Sequence, residues 1–136
     1  MYSDTQLGAA HLVAAALGRA LGIRVVIANV PTACTDGNTI YLPPLPVTVS
    51  TQLIAMLWGF IHHEAGHCRH SDFSVLQDLA SEQDALLLNL ARVFEDIRME
   101  RAHIALYPGA HRILCELVEV LVKIGFFKPP DPDHSP

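Results

Sequence analysis

Apolar residues along this chain recur at helical spacing in some stretches and gather into β-branched runs in others, and each change of pattern marks an element. Residues 3 to 21 read as a helix, with Ser3 or Asp4 placed to cap it and Gly22 standing where a glycine ends one. "IRVVIANV", 23 to 30, is β-branched and reads as a strand. "PTACTDGN", 31 to 38, is turn chemistry, strongest at Asp36-Gly37-Asn38. "TIYL", 39 to 42, predicts a short second strand, stopped by "PPLP", which cannot continue a ladder. The two strands are expected to pair as a hairpin or as neighbours in a small sheet.

Ser50 is placed to cap a helix over 51 to 70. "SDFSVLQDLASEQD" reads as an irregular or short-helical connection. A long helix follows over about 84 to 106, broken by "YPG" at 107 to 109. A last amphipathic helix runs over about 110 to 125, with Glu116, Glu119 and Lys123 on its wet side. The predicted fold is α+β: an N-terminal helix, a small β-sheet, the 51 to 70 helix, then two further helices. It forms one domain over 1–127, followed by a proline-rich linker or disordered tail, "KPPDPDHSP", over 128–136.

Composition adds exclusions. Of 136 residues, 51% are apolar and 17% charged, a hydrophobic balance for a small domain. The longest apolar run, Leu53 to Ile61, is far short of the roughly 20 residues a membrane span needs. The N-terminus lacks the basic region and cleavage pattern of a signal peptide. The apolar excess therefore suggests a covered surface, either a homodimer contact or a C-terminal domain missing from this chain. A net charge of −5, with no aromatic platform among Lys and Arg, argues against a nucleic-acid partner. Cys34, Cys68 and Cys115 are odd in number and form no CxxC pair, which points to a reducing, cytoplasmic setting.

The chemistry concentrates in "FIHHEAGHCRH", which holds four of the eight histidines. On a helix, residues four apart sit one above the other, so His63 and His67 share a face. His62 falls on another face and is expected to be solvated. Leu57, Trp58, Ile61, Ala65 and Cys68 form the stripe that packs inward. H-E-x-x-H on a helix is the arrangement metal hydrolysis requires. Two imidazoles one turn apart can reach one Zn²⁺ at about 2.0–2.1 Å. Glu64 between them can take a proton from the attacking water and pass it to the leaving amine. Gly59 and Gly66 suggest a close approach on their side of the helix.

A catalytic zinc needs a third protein ligand. On the 84 to 106 helix the polar face holds Asn89, Arg92, Asp96, Glu100 and His103. Glu95 lies instead on the stripe of Leu88, Ala91, Met99 and Ala102. A lone carboxylate among apolar neighbours is costly unless paired or bound to metal. Glu95 is the expected third ligand, with a structural Glu95–Arg98 ion pair as the alternative and Asp96 read as a surface charge. Arg98 is expected to be buried and able to orient a carboxylate. Asp72 could fix a ligand imidazole's tautomer, or simply cap the next turn. His70, Tyr107, His103 and Arg98 are candidates to stabilise the developing oxyanion. His70, Asp72 or His103 could instead close a four-ligand structural site.

With these residues in place, the chain resembles the gluzincin zinc metallopeptidases. More narrowly, "TDGNTIYLPPLP", "HHEAGHCRHSDF" and "ARVFEDIRMERA", within 35 to 102, resemble the N-terminal metallopeptidase-like domain of phage and bacterial cobaltochelatase-subunit-like proteins. Those proteins often carry a von Willebrand A domain downstream. The resemblance implies a zincin-like fold, His63, His67 and Glu95 as zinc ligands, Glu64 as general base, and an absent C-terminal domain. In zincins the strand before the zinc helix offers its edge to an extended peptide. Thr39, Ile40, Tyr41 and Leu42 would play that part by strand addition. The expected function is zinc-dependent hydrolysis of a peptide or protein substrate. The alternative is a catalytically inactive scaffold whose zinc stabilises a protein-interaction module.

Overall fold

A computed structural model describes residues 9–127; the expected caps Ser3 and Asp4 and the 128–136 tail lie outside the described residues. Helix α1 (Ala9–Leu21) stops where Gly22 predicts. Gly22 takes φ +70, and the Ile23 amide then donates back to the Gly18 carbonyl at 2.9 Å. Three strands follow, β1 (Arg24–Ile27), β2 (Cys34–Thr35) and β3 (Thr39–Leu42), then four helices: α2 (Thr51–His70), α3 (Phe73–Ser81), α4 (Ala85–Leu106) and α5 (Ala110–Lys123). The described residues are thus α+β, with five helices and one three-stranded sheet. No described helix is long and apolar enough to cross a membrane.

The sheet order is β1-β3-β2, which decides between the two expected pairings and corrects the expected edge strand. β1 and β3 are neighbours but run parallel, with Val25 opposite Ile40, so they form no hairpin. β3 pairs antiparallel with β2 on its other side, Cys34 opposite Tyr41. "TIYL" is therefore the central strand, and Thr39, Ile40, Tyr41 and Leu42 offer no free edge. The edge beside the helices belongs to β2, two residues inside what reads as turn chemistry. Asp36 makes the reversal between β2 and β3: its Oδ1 accepts from the Asn38 and Thr39 amides, both at 2.9 Å, and its Oδ2 accepts from the Tyr41 hydroxyl at 3.0 Å. Thr35 Oγ1 lies 3.1 Å from Cys68 Sγ, holding β2 against α2.

Ile40 and Leu42, two apart on β3, point to one face and are buried against Leu57, Ile61 and Ala65 of α2 and Ala10, Ala14, Leu17 and Leu21 of α1. Burial of each Leu or Ile contributes about 1.5–3 kcal/mol. Ser50 caps α2, its Oγ accepting from the Leu53 amide at 3.1 Å. The two glycines of α2 mark close approaches, as their positions suggest, but to neighbouring helices. A Cβ at Gly59 would overlap Leu117 of α5, and one at Gly66 would overlap Met99 of α4. α5 buries Ala110, Leu114, Leu117 and Leu121 at spacings of four and three, a stripe facing α2. Residues 73–81 close into α3, capped by Asp72, rather than an irregular link.

α4 turns the face that reads as polar toward α2. Met99 and His103 are fully buried, while Leu86, Leu90, Val93 and Phe94 stand exposed, Leu86 at 70% and Phe94 at 68%. That reversal decides which carboxylate meets the histidines.

Candidate metal centre

His63 and His67 stack one turn apart on α2, their ring centroids 4.9 Å from each other. Across from them α4 presents Asp96. Its Oδ1 lies 3.0 Å from His67 Nε2 and 3.8 Å from His63 Nε2. One atom from each of the three residues falls within 4.8 Å of the others. A tetrahedral ion with bonds of about 2.0–2.1 Å needs donors roughly 3.4 Å apart, and the two Asp96 distances straddle that value. Two imidazoles and a carboxylate suit a borderline divalent ion, zinc among them.

The groups behind the histidines settle their tautomers. His63 Nδ1 lies 2.8 Å from Glu100 Oε1. A carboxylate only accepts, so Nδ1 carries the proton and Nε2 keeps its lone pair. Behind His67 stand three groups in series, Ser71, Glu95 and Arg98. Arg98 donates to both oxygens of Glu95, at 2.8 and 2.6 Å. Its hydrogen bond, with a further one from Ser71, outweighs partial burial and holds the Glu95 carboxyl down at about 2. Glu95 is then an acceptor, so the Ser71 hydroxyl, 2.7 Å from its Oε1, donates to it. Ser71 Oγ is left to accept from His67 Nδ1 at 2.8 Å. With Nδ1 held by Ser71, His67 turns Nε2 toward Asp96.

This arrangement puts a different carboxylate beside the histidines from the one expected. Asp96, not Glu95, joins the histidine pair; Glu95 supports His67 through Ser71. Helical periodicity places both carboxylates correctly around α4 but not the line along which α4 crosses α2. That line runs between them, near Met99, so Asp96 faces the histidines and Glu95 faces Ser71. Arg98 is half-exposed rather than buried, and it also donates to the His70 carbonyl. Asp72 accepts from the Ser74 amide at 3.0 Å and caps α3. The imidazole partner is its neighbour Ser71.

Glu64 opens onto the same cavity, a pocket of about 250 Å³ that Cys34, Phe73, Arg92, Asp96 and His67 help to line. It is almost fully buried. Burial raises its carboxyl above the ordinary value, opposed by His63 and His67 and reinforced by Asp96. A raised carboxylate is a better proton acceptor near neutrality. His63 is held above its usual value too: burial alone would lower it, but the hydrogen bond to Glu100 and the charges of Glu64 and Asp96 prevail.

His62 and His70 of α2 form a separate group with His103 of α4, on the neighbouring face of α2. His62 is buried, not solvated, with Nδ1 3.0 Å from His103 Nε2. Trp58 and Tyr107 pack beside the His62 ring. His103 is pushed down to about 4, first by burial and then by His62, His70 and Arg69. His70 Nε2 is buried without a partner among the described residues, and Arg69 stacks over Tyr107. His70, His103 and Tyr107 thus belong to this group and not to the cavity at Glu64. Sequence reasoning missed Ser71, Glu100 and Arg92. Glu100 and Arg92 were legible only as members of the polar stripe that Asp96 shares.

Compared with models of known protein families, with curated proteins and with solved structures, the chain finds no match.

Proposed function

We propose that this chain is a metal-dependent hydrolase of zincin type that cuts peptide bonds. The observation that carries the reading is the convergence of His63 Nε2, His67 Nε2 and Asp96 Oδ1 beside the cavity that holds Glu64. A bound Zn²⁺ would polarise the scissile carbonyl and acidify the attacking water. Glu64 accepts the water's proton and delivers it to the leaving amine, a task its raised carboxyl suits. Glu100 and Ser71 hold the two imidazoles in the tautomer that ligates. The edge of β2, at Cys34 and Thr35 on the cavity wall, receives an extended substrate by strand addition.

The alternative of a closed structural zinc needs a fourth protein ligand. His103 pairs with His62, Asp72 caps α3, and neither they nor His70 joins the His63, His67 and Asp96 group among the described residues. Three protein donors and a half-exposed Asp96 leave a position for water or substrate. The same donors suit other divalent ions; Glu64 is what favours hydrolysis over redox chemistry.

The test is Glu64→Gln in zinc-loaded protein. The variant should retain one zinc per chain and its melting temperature while losing cleavage of a broad peptide library. Equal cleavage by variant and wild type, or a wild type that cuts nothing, would sink the peptidase reading.

A further inference from the structure

Arg92 lies one turn before Asp96 on α4 and lines the cavity that Glu64, His67 and Asp96 share. It is exposed and forms no salt bridge among the described residues. Every other charged group on this wall has a task. Glu95 is held by Arg98, Asp96 faces the histidines, and Glu64 is the buried carboxylate proposed as the base. Ala33, Phe73 and Leu76 add apolar lining to the same cavity. The cavity therefore offers apolar lining together with one guanidinium among the carboxylates of Glu64, Glu95 and Asp96. Arg is fitted to grip a carboxylate by two parallel hydrogen bonds.

We infer that Arg92 is a specificity-determining residue, and that the cavity takes a peptide carrying a carboxylate next to the bond to be cut. This rests on the peptidase reading for its reaction but not for its binding. The apolar lining takes the methylene stem or the preceding side chain, and the guanidinium takes the charge. The carboxylate comes either from an acidic side chain or from a free C-terminus, and both present the same two oxygens.

The experiment uses zinc-loaded protein and three dipeptides: acetyl-Leu-Glu-amide, acetyl-Leu-Gln with a free carboxyl, and the uncharged acetyl-Leu-Gln-amide. Their affinities are measured by calorimetry for wild type, Arg92→Ala and Arg92→Glu. Wild type should bind one of the charged peptides roughly tenfold tighter than the uncharged one, the scale of a charge-assisted pair. Which charged peptide gains identifies the source of the carboxylate. Arg92→Ala should erase the advantage without changing affinity for the uncharged peptide, and Arg92→Glu should invert it. An advantage that survives Arg92→Ala means that the metal alone holds the carboxylate, and overturns the assignment; so does the absence of any advantage in wild type. Longer versions of the same peptides test cleavage separately. Charge-selective binding without cleavage refutes the peptidase reading and leaves the subsite standing. Cleavage with a kcat loss in Arg92→Ala for the uncharged peptide as well would make Arg92 part of the reaction, not of selection.

Discussion

Ser71 Oγ stands between His67 Nδ1 at 2.8 Å and Glu95 Oε1 at 2.7 Å, joining a helix cap to an imidazole of the candidate metal centre and to the next long helix. Because Arg98 keeps Glu95 ionised, the hydroxyl has one orientation, and that orientation holds His67 by Nδ1 and leaves Nε2 facing Asp96. Ser71→Ala removes the acceptor for Nδ1–H and leaves the ring free to flip or change tautomer. Zinc affinity should fall about 10–100-fold, measured by competition with a chromophoric chelator. Ser71→Thr keeps the hydroxyl and should recover most of it. A Ser71→Ala protein with wild-type affinity would show that the chain does not orient His67.

Asp96 and Glu95 are adjacent in sequence but divide the work, so their amide variants should separate. Asp96→Asn replaces a ligand oxygen's charge and should leave no zinc after dialysis against buffer. Glu95→Gln keeps the ion but weakens its hold, within the same roughly 10–100-fold as Ser71→Ala. Atomic absorption on the dialysed proteins distinguishes the two. Zinc lost from Glu95→Gln and kept by Asp96→Asn would restore Glu95 as the ligand.

What could be read from the sequence is what local interactions decide. The bounds of α2 follow from Ser50 and a continuous periodicity, and those of α4 from Asp84, whose carboxylate accepts from the Leu87 amide at 3.0 Å. The pairing of His63 with His67 follows from helix geometry alone. Burial of His62 does not, because it depends on His103 arriving from another helix. β2 was illegible because a two-residue strand carries no alternation and takes its pairing entirely from β3. The choice between Glu95 and Asp96 turns on which arc of α4 meets α2. Apolar patterning misleads there, since Leu90, Val93 and Phe94 remain outside while polar groups from both helices meet inside.

Gly66 tests that interface directly. A Cβ there would overlap Met99 Sδ and lie 3.4 Å from His103 Cβ, so Gly66→Ala must displace the buried Met99 side chain or push α4 away from α2. The expected cost is about 1–3 kcal/mol by chemical denaturation, the scale of an overpacked core. Because Asp96 rides on α4, zinc affinity should fall as well. Met99→Ala should cost less in the Gly66→Ala background than in wild type, since the smaller side chain makes room for the new methyl group. Additive losses would mean that the two sites do not touch.

Metal-free protein should lose stability as pH falls from about 6.5 to about 4, and His103 is the reason. Burial lowers its folded value to about 4 from 6.5, so between those values the unfolded chain binds the proton that the folded chain refuses. The unfolded state then holds more protons, and stability rises with pH across that window. The neutral ring's contribution is complete near pH 7 and amounts to at most about 3 kcal/mol. His62, also lowered by burial, acts with the same sign. Glu64 acts with the opposite sign, since its raised carboxyl favours the folded state in acid. The contribution of Glu95 lies lower, lost only as pH falls from 4.5 toward about 2. The comparison that isolates His103 is therefore wild type against His103→Gln, with urea midpoints at pH 7 and pH 4.5 in the presence of chelator. The variant should lose less stability between the two. Parallel curves would show that His103 takes up its proton equally well folded and unfolded.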